Sequence, residues 1–238
     1  SSSSSSLSNQ NSNFFGLPVT PEYHGVQTCA VQSFIFDKQR FLLTASDDCQ
    51  IQLFAIHPTS FELERLQVLH GHISGVKALS ILKVDQHQQL LFSGGGGFQL
   101  FVWLIRSDVS TRPVIIFPIE SFVANDEQDT RILSIEALPD PQTKQHCFVL
   151  TGLSDTSIRL FHCQNQIASD TGYIQKSNLT LVCLFMANHG PVIAMDQFQL
   201  ANQYYIVNGS TDGSLTIWNF SKTISSLFSS SSSSSSST

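Results

Sequence analysis

The sequence predicts an all-β protein built from about four copies of one antiparallel unit, and the last copy shows the unit most completely. Residues 204–207 are aromatic or β-branched and predict a strand, and Asp212-Gly213 is a strong signal for a two-residue hairpin turn. After the turn, apolar and polar residues alternate, as they do in a half-buried strand. Trp218 closes the unit six residues after Asp212, and the rest of the chain repeats this spacing.

Three earlier stretches keep the same distance between a turn residue and a closing aromatic residue. The turn residue is aspartate in three copies and glycine, Gly97, in the second copy. The closing aromatics, which are 49, 58 and 57 residues apart, are Phe54, Trp103, Phe161 and Trp218. This period predicts repeat units at about residues 14–56, 61–107, 112–164 and 170–220.

Each unit also contains a loop that precedes the first of its three regularly spaced strands. A His-Gly pair stands in this loop in three units, and Asp129-Thr130-Arg131 takes its place in the third. Apolar runs also predict a leading outer strand at the start of the later units. The His-Gly pairs begin at His24, His70 and His189, and the leading strands are expected at about 61–69, 114–117 and 179–186.

The two ends of the chain differ in composition from the repeats. Residues 1–13 are rich in Ser and Asn, and residues 228–238 are nearly all Ser, so both are expected to be disordered tails. Neither end reads as a signal peptide, and the absence of a long apolar window predicts that no segment spans a membrane. The five cysteines form no Cys-x-x-Cys motif, which favours free thiols in a reducing compartment and therefore a cytoplasmic location.

The charge balance bears on the possible partners. The net charge is -6, with 12 Lys and Arg against 18 Asp and Glu. Proteins that hold a nucleic-acid backbone directly are usually basic, because lysine and arginine neutralise the phosphates. Direct binding of DNA or tRNA is therefore disfavoured, and a protein partner is expected.

The repeated unit resembles the WD40 repeat, whose blades carry a hydrogen-bond network between a loop His, a strand Ser or Thr, a turn Asp and a Trp. The last unit matches all four roles and the first unit matches three, since Phe54 cannot donate as an indole does. The residues that the resemblance assigns to this network are His189, Ser210, Asp212 and Trp218, together with His24, Ser46 and Asp48. It implies WD40 β-propeller blades that form part of an incomplete or larger propeller, because an open set of blades leaves two sheet edges exposed.

No motif for catalysis or for cofactor or metal binding is found. The run Gly94–Gly97 is not followed by Lys-Ser/Thr and leads into a strand, so a turn or bulge is favoured over a phosphate loop. His70 and His72 lack further metal-binding residues nearby in the sequence and are interpreted as structural loop histidines. We therefore predict a protein without enzymatic activity, cofactor or metal.

A narrower resemblance is to the WD-repeat regulatory subunits of the tRNA 2'-O-ribose methyltransferase that modifies the wobble nucleotide. It covers roughly residues 21–227. The stretches that carry it are 72–79 with 91–96, Asp129-Thr-Arg with 132–135, 154–161 and 210–218. The Gly-rich turn with the following Gln99-Leu100, and the Asp-Thr-Arg lead into the third unit, are its most distinctive features. The family's proteins are longer and continue past the fourth unit, where this chain becomes Ser-rich.

This resemblance implies a non-catalytic subunit that binds the methyltransferase and supports ribose methylation, with tRNA held indirectly through the complex. The methyl donor, S-adenosylmethionine, would sit in the partner. The alternative is a general WD40 adaptor, such as a ubiquitin-ligase receptor or a trafficking scaffold. An enzyme built on a propeller would instead need convergent His and carboxylate side chains at the centre of the ring.

Overall fold

The computed structural model describes residues 24–108, 112–124, 129–141, 143, 145–186 and 189–231. The expected N-terminal tail, the first ten residues of the first repeat and residues 232–238 lie outside the described residues.

The described residues form four antiparallel sheets that follow one another along the chain. Three sheets have four strands and the last has three, and in each the strand order follows the chain order. Sheet 1 contains β1 (Thr28–Phe36), β2 (Gln39–Ser46), β3 (Ile51–Ile56) and β4 (Leu63–Leu69). Sheet 2 contains β5 (Val76–Lys83), β6 (Gln88–Gly95), β7 (Gln99–Asp108) and β8 (Arg112–Val123). Sheet 3 contains β9 (Ile132–Pro139), β10 (Cys147–Leu153), β11 (Ser157–Ile167) and β12 (Ile174–Met186), and sheet 4 contains β13 (Val192–Leu200), β14 (Gln203–Ser210) and β15 (Leu215–Asn219).

The sequence repeat is offset from the sheets by one strand. Each leading strand lies, as expected, at the start of its repeat, but it hydrogen-bonds to the sheet of the preceding repeat. Strand β4 pairs with β3, β8 pairs with β7, and β12 pairs with β11. One repeat therefore joins two neighbouring sheets, and every loop between a fourth strand and the next first strand crosses from sheet to sheet.

The sheets pack face to face, and three apolar clusters join sheet 1 to sheet 2, sheet 2 to sheet 3, and sheet 3 to sheet 4. Because successive side chains of a strand point to opposite faces, alternate residues of a central strand serve alternate clusters. In β6, Leu91 packs toward sheet 1 while Leu90 and Phe92 pack toward sheet 3, and all are fully buried. This explains why β6 and β10 are buried along their whole length.

The first strands of the four sheets, β1, β5, β9 and β13, lie side by side in that order, as the inner strands of a propeller do. No apolar cluster of the described residues joins sheet 4 back to sheet 1. The predicted fold, WD40 propeller blades in a ring that is not closed, is thus confirmed.

The Gly-rich run also forms the predicted turn: Gly96–Phe98 make a single 3-10 turn in which Gly97 has a φ of 63°.

Sheet 4 ends in a helix instead of a fourth strand. Helix α1 (Phe220–Ser231) places Phe220, Ile224 and Leu227 on one face, and these side chains pack into the cluster between sheets 3 and 4. The all-β fold predicted from the sequence did not include this helix. The helix also extends four residues into the segment that was assigned to the disordered Ser tail.

Two glutamines, the partly buried Gln67 and the buried Gln88, join neighbouring sheets because each side-chain amide bonds to both a backbone carbonyl and a backbone N–H of the next sheet. Gln67 of β4 donates to the carbonyl of Ile116 and accepts from its N–H, at 2.6 and 3.1 Å. Gln88 of β6 donates to the carbonyl of Gly172 at 3.2 Å and accepts from the N–H of Ile174 at 2.7 Å. These amides supply hydrogen bonds where the sheets meet without a shared ladder.

Replacing Gln88 by alanine is expected to lower the free energy of unfolding by about 2–3 kcal/mol, because it leaves the N–H of the buried Ile174 without its partner. The measurement is urea unfolding, in which the midpoint falls while the slope stays unchanged. The matched control is Gln166→Ala, which truncates an exposed glutamine of β11. Equal losses in the two variants would contradict this role for Gln88.

Candidate functional site

The predicted network residues lie along one rim of the sheets, where the turn between the second and third strands meets the loop before the first strand. In every sheet a backbone N–H of the turn donates to a backbone carbonyl of the loop. The four bonds are Asp47 to Gln27, Gly96 to Gly75, Ser154 to Arg131 and Thr211 to Pro191, at 3.0–3.2 Å. We call this edge the rim, and it holds the candidate site.

Sheet 2 contains the most buried network. The indole Nε1–H of Trp103 donates to the Ser93 hydroxyl at 2.8 Å, and the same hydroxyl lies 2.8 Å from Nε2 of His72. The Ser93 hydroxyl accepts from the indole and still has one proton and one lone pair for its contact with the imidazole. Gly97 stands where other sheets have a turn aspartate, and His72 Nδ1 makes no hydrogen bond. Gln99 compensates in part, since its side-chain oxygen accepts from the Ile73 N–H at 2.9 Å.

In sheet 1, the predicted network residues His24 and Asp48 are hydrogen-bonded directly to each other. Nδ1 of His24 donates to the Asp48 carboxylate at 2.7 Å, and Nε2 lies 2.9 Å from the hydroxyl of Thr44. The predicted Ser46 does not bond to the histidine. It accepts instead from the backbone N–H of Asp48 at 3.3 Å and so supports the turn.

Sheet 4 brings together only some of the residues expected there. Asp212 accepts from the backbone N–H groups of Ser214 and His189, at 2.8 and 3.1 Å, and its own N–H donates to Ser210 at 3.4 Å. The exposed His189 therefore contributes its backbone to the network. The Trp218 indole donates to the side-chain oxygen of Asn208 at 2.7 Å and not to Ser210.

Sheet 3 has no corresponding histidine among its described residues. Its turn is held instead by Ser154, whose hydroxyl accepts from the N–H of Arg131 at 2.9 Å. Asp155 accepts from both the backbone N–H and the hydroxyl of Ser157, at 2.9 and 2.6 Å. The rim thus keeps its backbone geometry while its side-chain network changes from sheet to sheet.

Strand register identifies the polar partner that the sequence analysis missed. In all four sheets the residue ten positions before the closing aromatic pairs with the residue two before that aromatic, so it lies diagonally opposite the aromatic on the same face of the sheet. These residues are Thr44, Ser93, Thr151 and Asn208. A count of ten positions back from each closing aromatic residue finds them, whereas the resemblance assigned the network role to Ser46 and Ser210, which stand two positions nearer the turn. By the same register, His24 and His72 occupy equivalent positions before the first strands of their sheets. His189 stands one position later and is equivalent to Ile73.

The electrostatics of the network indicate a structural role. Burial lowers the pKa of His72 to about 4, so this imidazole is neutral at physiological pH. Hydrogen bonding from Ser214 lowers the pKa of Asp212 to about 2, so its carboxylate stays charged. Neither group changes protonation near neutral pH, where a general acid or base would have to do so.

One part of the rim carries accessible charge, and we call it the rim patch: Asp47, Lys77, Gly97, Arg131 and Ser154. Lys77 of β5 forms an ion pair with Asp47 of the sheet 1 turn, and this contact lowers the pKa of Asp47. A side chain at Gly75 would collide with the Asp47 carboxylate, so the rims of sheets 1 and 2 abut. The patch continues to sheet 3, because the Phe98 N–H donates to the Thr130 carbonyl at 2.9 Å.

The described part of the chain contains no group of three or more His, Cys, Asp or Glu residues placed to hold a metal ion. It contains no helix long and apolar enough to cross a membrane. The five cysteines are free, and Cys147 faces Cys163 across β10 and β11. The hydrogen bond between these two thiols and their burial raise the pKa of Cys147.

The sheets, their register and the rim network together define blades of the WD40 propeller type. The structure is similar to that of Saccharomyces cerevisiae Sqt1, with a TM-score of 0.53 and 13% identity over 82% of this chain and 45% of that chain. It is also similar to the WD40 repeats of RRP9, with a TM-score of 0.45 and 19% identity over 76% of this chain and 43% of that chain. The chain spans less than half the length of either structure. No family model matches the sequence, and no curated protein matches it either.

Proposed function

We propose that this chain is a non-catalytic, cytoplasmic WD-repeat subunit that binds a tRNA 2'-O-methyltransferase and supports ribose methylation of the wobble nucleotide. The proposal combines the coarse role of the fold, a scaffold for protein contacts, with the narrower sequence resemblance. The methyltransferase would hold S-adenosylmethionine, and tRNA would be reached through the complex.

The observation that carries the proposal is the meeting of the two most distinctive stretches of that resemblance. The Gly-rich turn of sheet 2 and the Asp-Thr-Arg loop of sheet 3 are 32 residues apart in sequence, counted from Phe98 to Thr130. They are joined by the backbone bond between these two residues, at 2.9 Å. The exposed Arg131 follows directly, so both stretches belong to the rim patch. Two stretches that contact the same partner are expected to lie on one surface, as the Gly-rich turn and the Asp-Thr-Arg loop do.

The charge of the chain supports a protein partner over direct RNA contact. Within the rim patch, Lys77 is paired with Asp47, and Arg131 is the exposed cation. A groove that follows an RNA backbone carries many cations, because each phosphate contact needs one. A single arginine beside an ion pair suits a carboxylate on a protein surface instead.

The first experiment measures wobble-ribose methylation by mass spectrometry in tRNA from cells that lack the full-length gene. Loss of the mark, restored by the intact gene, supports the proposal. The Arg131→Glu variant is expected not to restore methylation. Affinity purification of this variant is also expected to recover less methyltransferase than purification of the wild-type protein. The matched control is Lys176→Glu, which reverses the charge of an exposed residue of β12 away from the rim and should restore the mark. Unchanged methylation in the deleted cells would overturn the proposal and leave the general adaptor.

A further inference from the structure

A cleft lies at the end of sheet 1 that is opposite the rim. The rim contains the turn between β2 and β3, whereas this cleft lies between the β1–β2 turn and the β3–β4 loop. Its volume is about 820 Å³, and it is lined by residues 37–40, 56–58 and 61. We call it the sheet 1 groove. Its volume lies within the range of about 300–1,000 Å³ that is usual for binding sites.

The groove presents an aromatic side chain that burial does not explain. Phe61 is 62% exposed, and its φ of 58° is left-handed, a conformation in which glycine and asparagine are common and a bulky aromatic residue is rare. The loop fixes this backbone, because the Phe61 N–H donates to the carbonyl of His57 at 3.0 Å. Neither packing nor backbone geometry favours phenylalanine here, whereas a contact with a ligand does, since aromatic residues are enriched among those that dominate interfaces.

Two cations stand beside this aromatic ring. Lys38 and Arg40 are both exposed, and no ion pair joins either of them to an acid within the part of the chain that the structure describes. Asp37 is the one acid of the lining, so these charges leave the groove at +1, while the whole chain carries -6. The groove is therefore complementary to an anionic ligand.

His57 adds a neutral hydrogen-bond donor. Its Nδ1 accepts from the backbone N–H of Ser60 at 3.3 Å, so the proton of the neutral ring is on Nε2. Because Nδ1 is used within the loop, the Nε2–H is the group that the exposed imidazole offers to a ligand.

The shape of the groove indicates what kind of ligand it takes. Six of its eight lining residues are exposed and none is buried, whereas a small-molecule site encloses most of its ligand. An open cleft suits a segment of a larger partner. Cations bind carboxylates through charge-assisted hydrogen bonds, and an exposed ring stacks on another ring.

We propose that the sheet 1 groove binds an acidic peptide segment of a partner protein, with an aromatic side chain on Phe61 and carboxylates on Lys38 and Arg40. This surface is separate from the rim patch, because it lies at the other end of the sheet 1 strands. It therefore adds a second contact surface beyond the proposed function and does not depend on it.

The test is fluorescence anisotropy with a set of labelled heptapeptides in which Phe, Tyr or Trp stands between Asp and Glu residues. At least one peptide should bind the wild-type chain saturably. Lys38→Glu/Arg40→Glu and Phe61→Asn should each weaken binding about tenfold or more, as expected for the loss of charge-assisted or aromatic contacts. Asparagine tolerates a positive φ, so Phe61→Asn should leave the midpoint of urea unfolding unchanged, which a merely structural role for Phe61 would not allow.

The matched control is Lys176→Glu/Lys222→Glu, which reverses two exposed charges outside the groove and should bind like the wild type. Arg131→Glu should also leave peptide binding unchanged, which keeps this result separate from the methylation test. No saturable binding by any peptide of the set would overturn the proposal. So would equal binding by both groove variants, or by peptides with Asn and Gln in place of the acids. Binding of AMP without binding of the peptides would indicate a nucleotide site instead.

Discussion

Replacing Trp103 by alanine is expected to lower the free energy of unfolding by about 3–5 kcal/mol, the usual loss for a large aromatic residue removed from a core. Trp103 is 1% exposed and packs in the cluster between sheets 1 and 2. Its indole stacks on Phe101, with ring centroids 5.4 Å apart, and holds the Ser93 hydroxyl that also reaches His72. The substitution therefore removes packing and a buried hydrogen bond together.

Two further variants separate these effects by urea unfolding. Trp103→Phe keeps an aromatic ring but cannot donate to Ser93, and it should cost about 1–3 kcal/mol, the penalty for an unpaired buried polar group. Ser93→Ala leaves both the indole and His72 without a partner, and it should cost at least as much. The matched control is Trp218→Ala, because Trp218 is only partly buried at the open end and should give a smaller loss. Equal losses at Trp103 and Trp218 would contradict this account.

Replacing Glu136 by glutamine is expected to stabilise the protein by about 1–3 kcal/mol at pH 8, a range reduced for the partial exposure of the side chain. Glu136 lies on β9 opposite Leu150, which packs in the cluster between sheets 3 and 4. Burial, with a smaller contribution from the charge of Asp196, raises the pKa of Glu136 from 4.5 to about 7. Ionising this carboxyl in the folded chain is therefore unfavourable.

The sign of the pH dependence follows from the same shift. The native protein holds the Glu136 proton more tightly than the unfolded chain does, so the free energy of unfolding falls as the pH rises from about 4.5 to about 7. Glu136→Gln should remove this decline, and Asp196→Asn should reduce it. The control Glu64→Gln, which changes an exposed carboxyl of β4, should leave it in place. Urea unfolding at a series of pH values measures the effect, and identical pH profiles for Glu136→Gln and the wild type would contradict it.

The repeating elements of the fold could be predicted because their signals are local. Alternation of apolar and polar residues, Asp-Gly at a turn and a closing aromatic at fixed spacing each depend on a few neighbouring residues. The strands and turns of sheet 4 up to Trp218 lie where these signals placed them. Helix α1 was missed because nothing local in a Ser-rich segment marks a helix, and three apolar side chains gain their stability only by packing on sheet 3.

The candidate site shows the same division. The turn aspartates Asp48 and Asp212 and the aromatic Trp103 could be found by spacing, because each lies a fixed number of residues from its turn. The hydroxyl or amide that completes the network lies on a neighbouring strand, so strand register decides which residue lies diagonally opposite the aromatic and within its reach. Register also decided that His189 contributes a backbone N–H, a role that no side-chain motif can reveal.

The sequence by itself determined that this chain repeats an antiparallel β-unit, because the period and the turn residues depend on neighbouring positions. The WD40 identity of that unit came from a resemblance to a known repeat. It did not determine how the repeats share strands, which polar partner completes each network, or which apolar faces remain open. Those depend on contacts between residues far apart in the chain, such as Gln88 with Ile174 or Phe98 with Thr130. Only packing in three dimensions brings such pairs together, and it leaves Leu215 exposed where its equivalents Leu100 and Ile158 are buried.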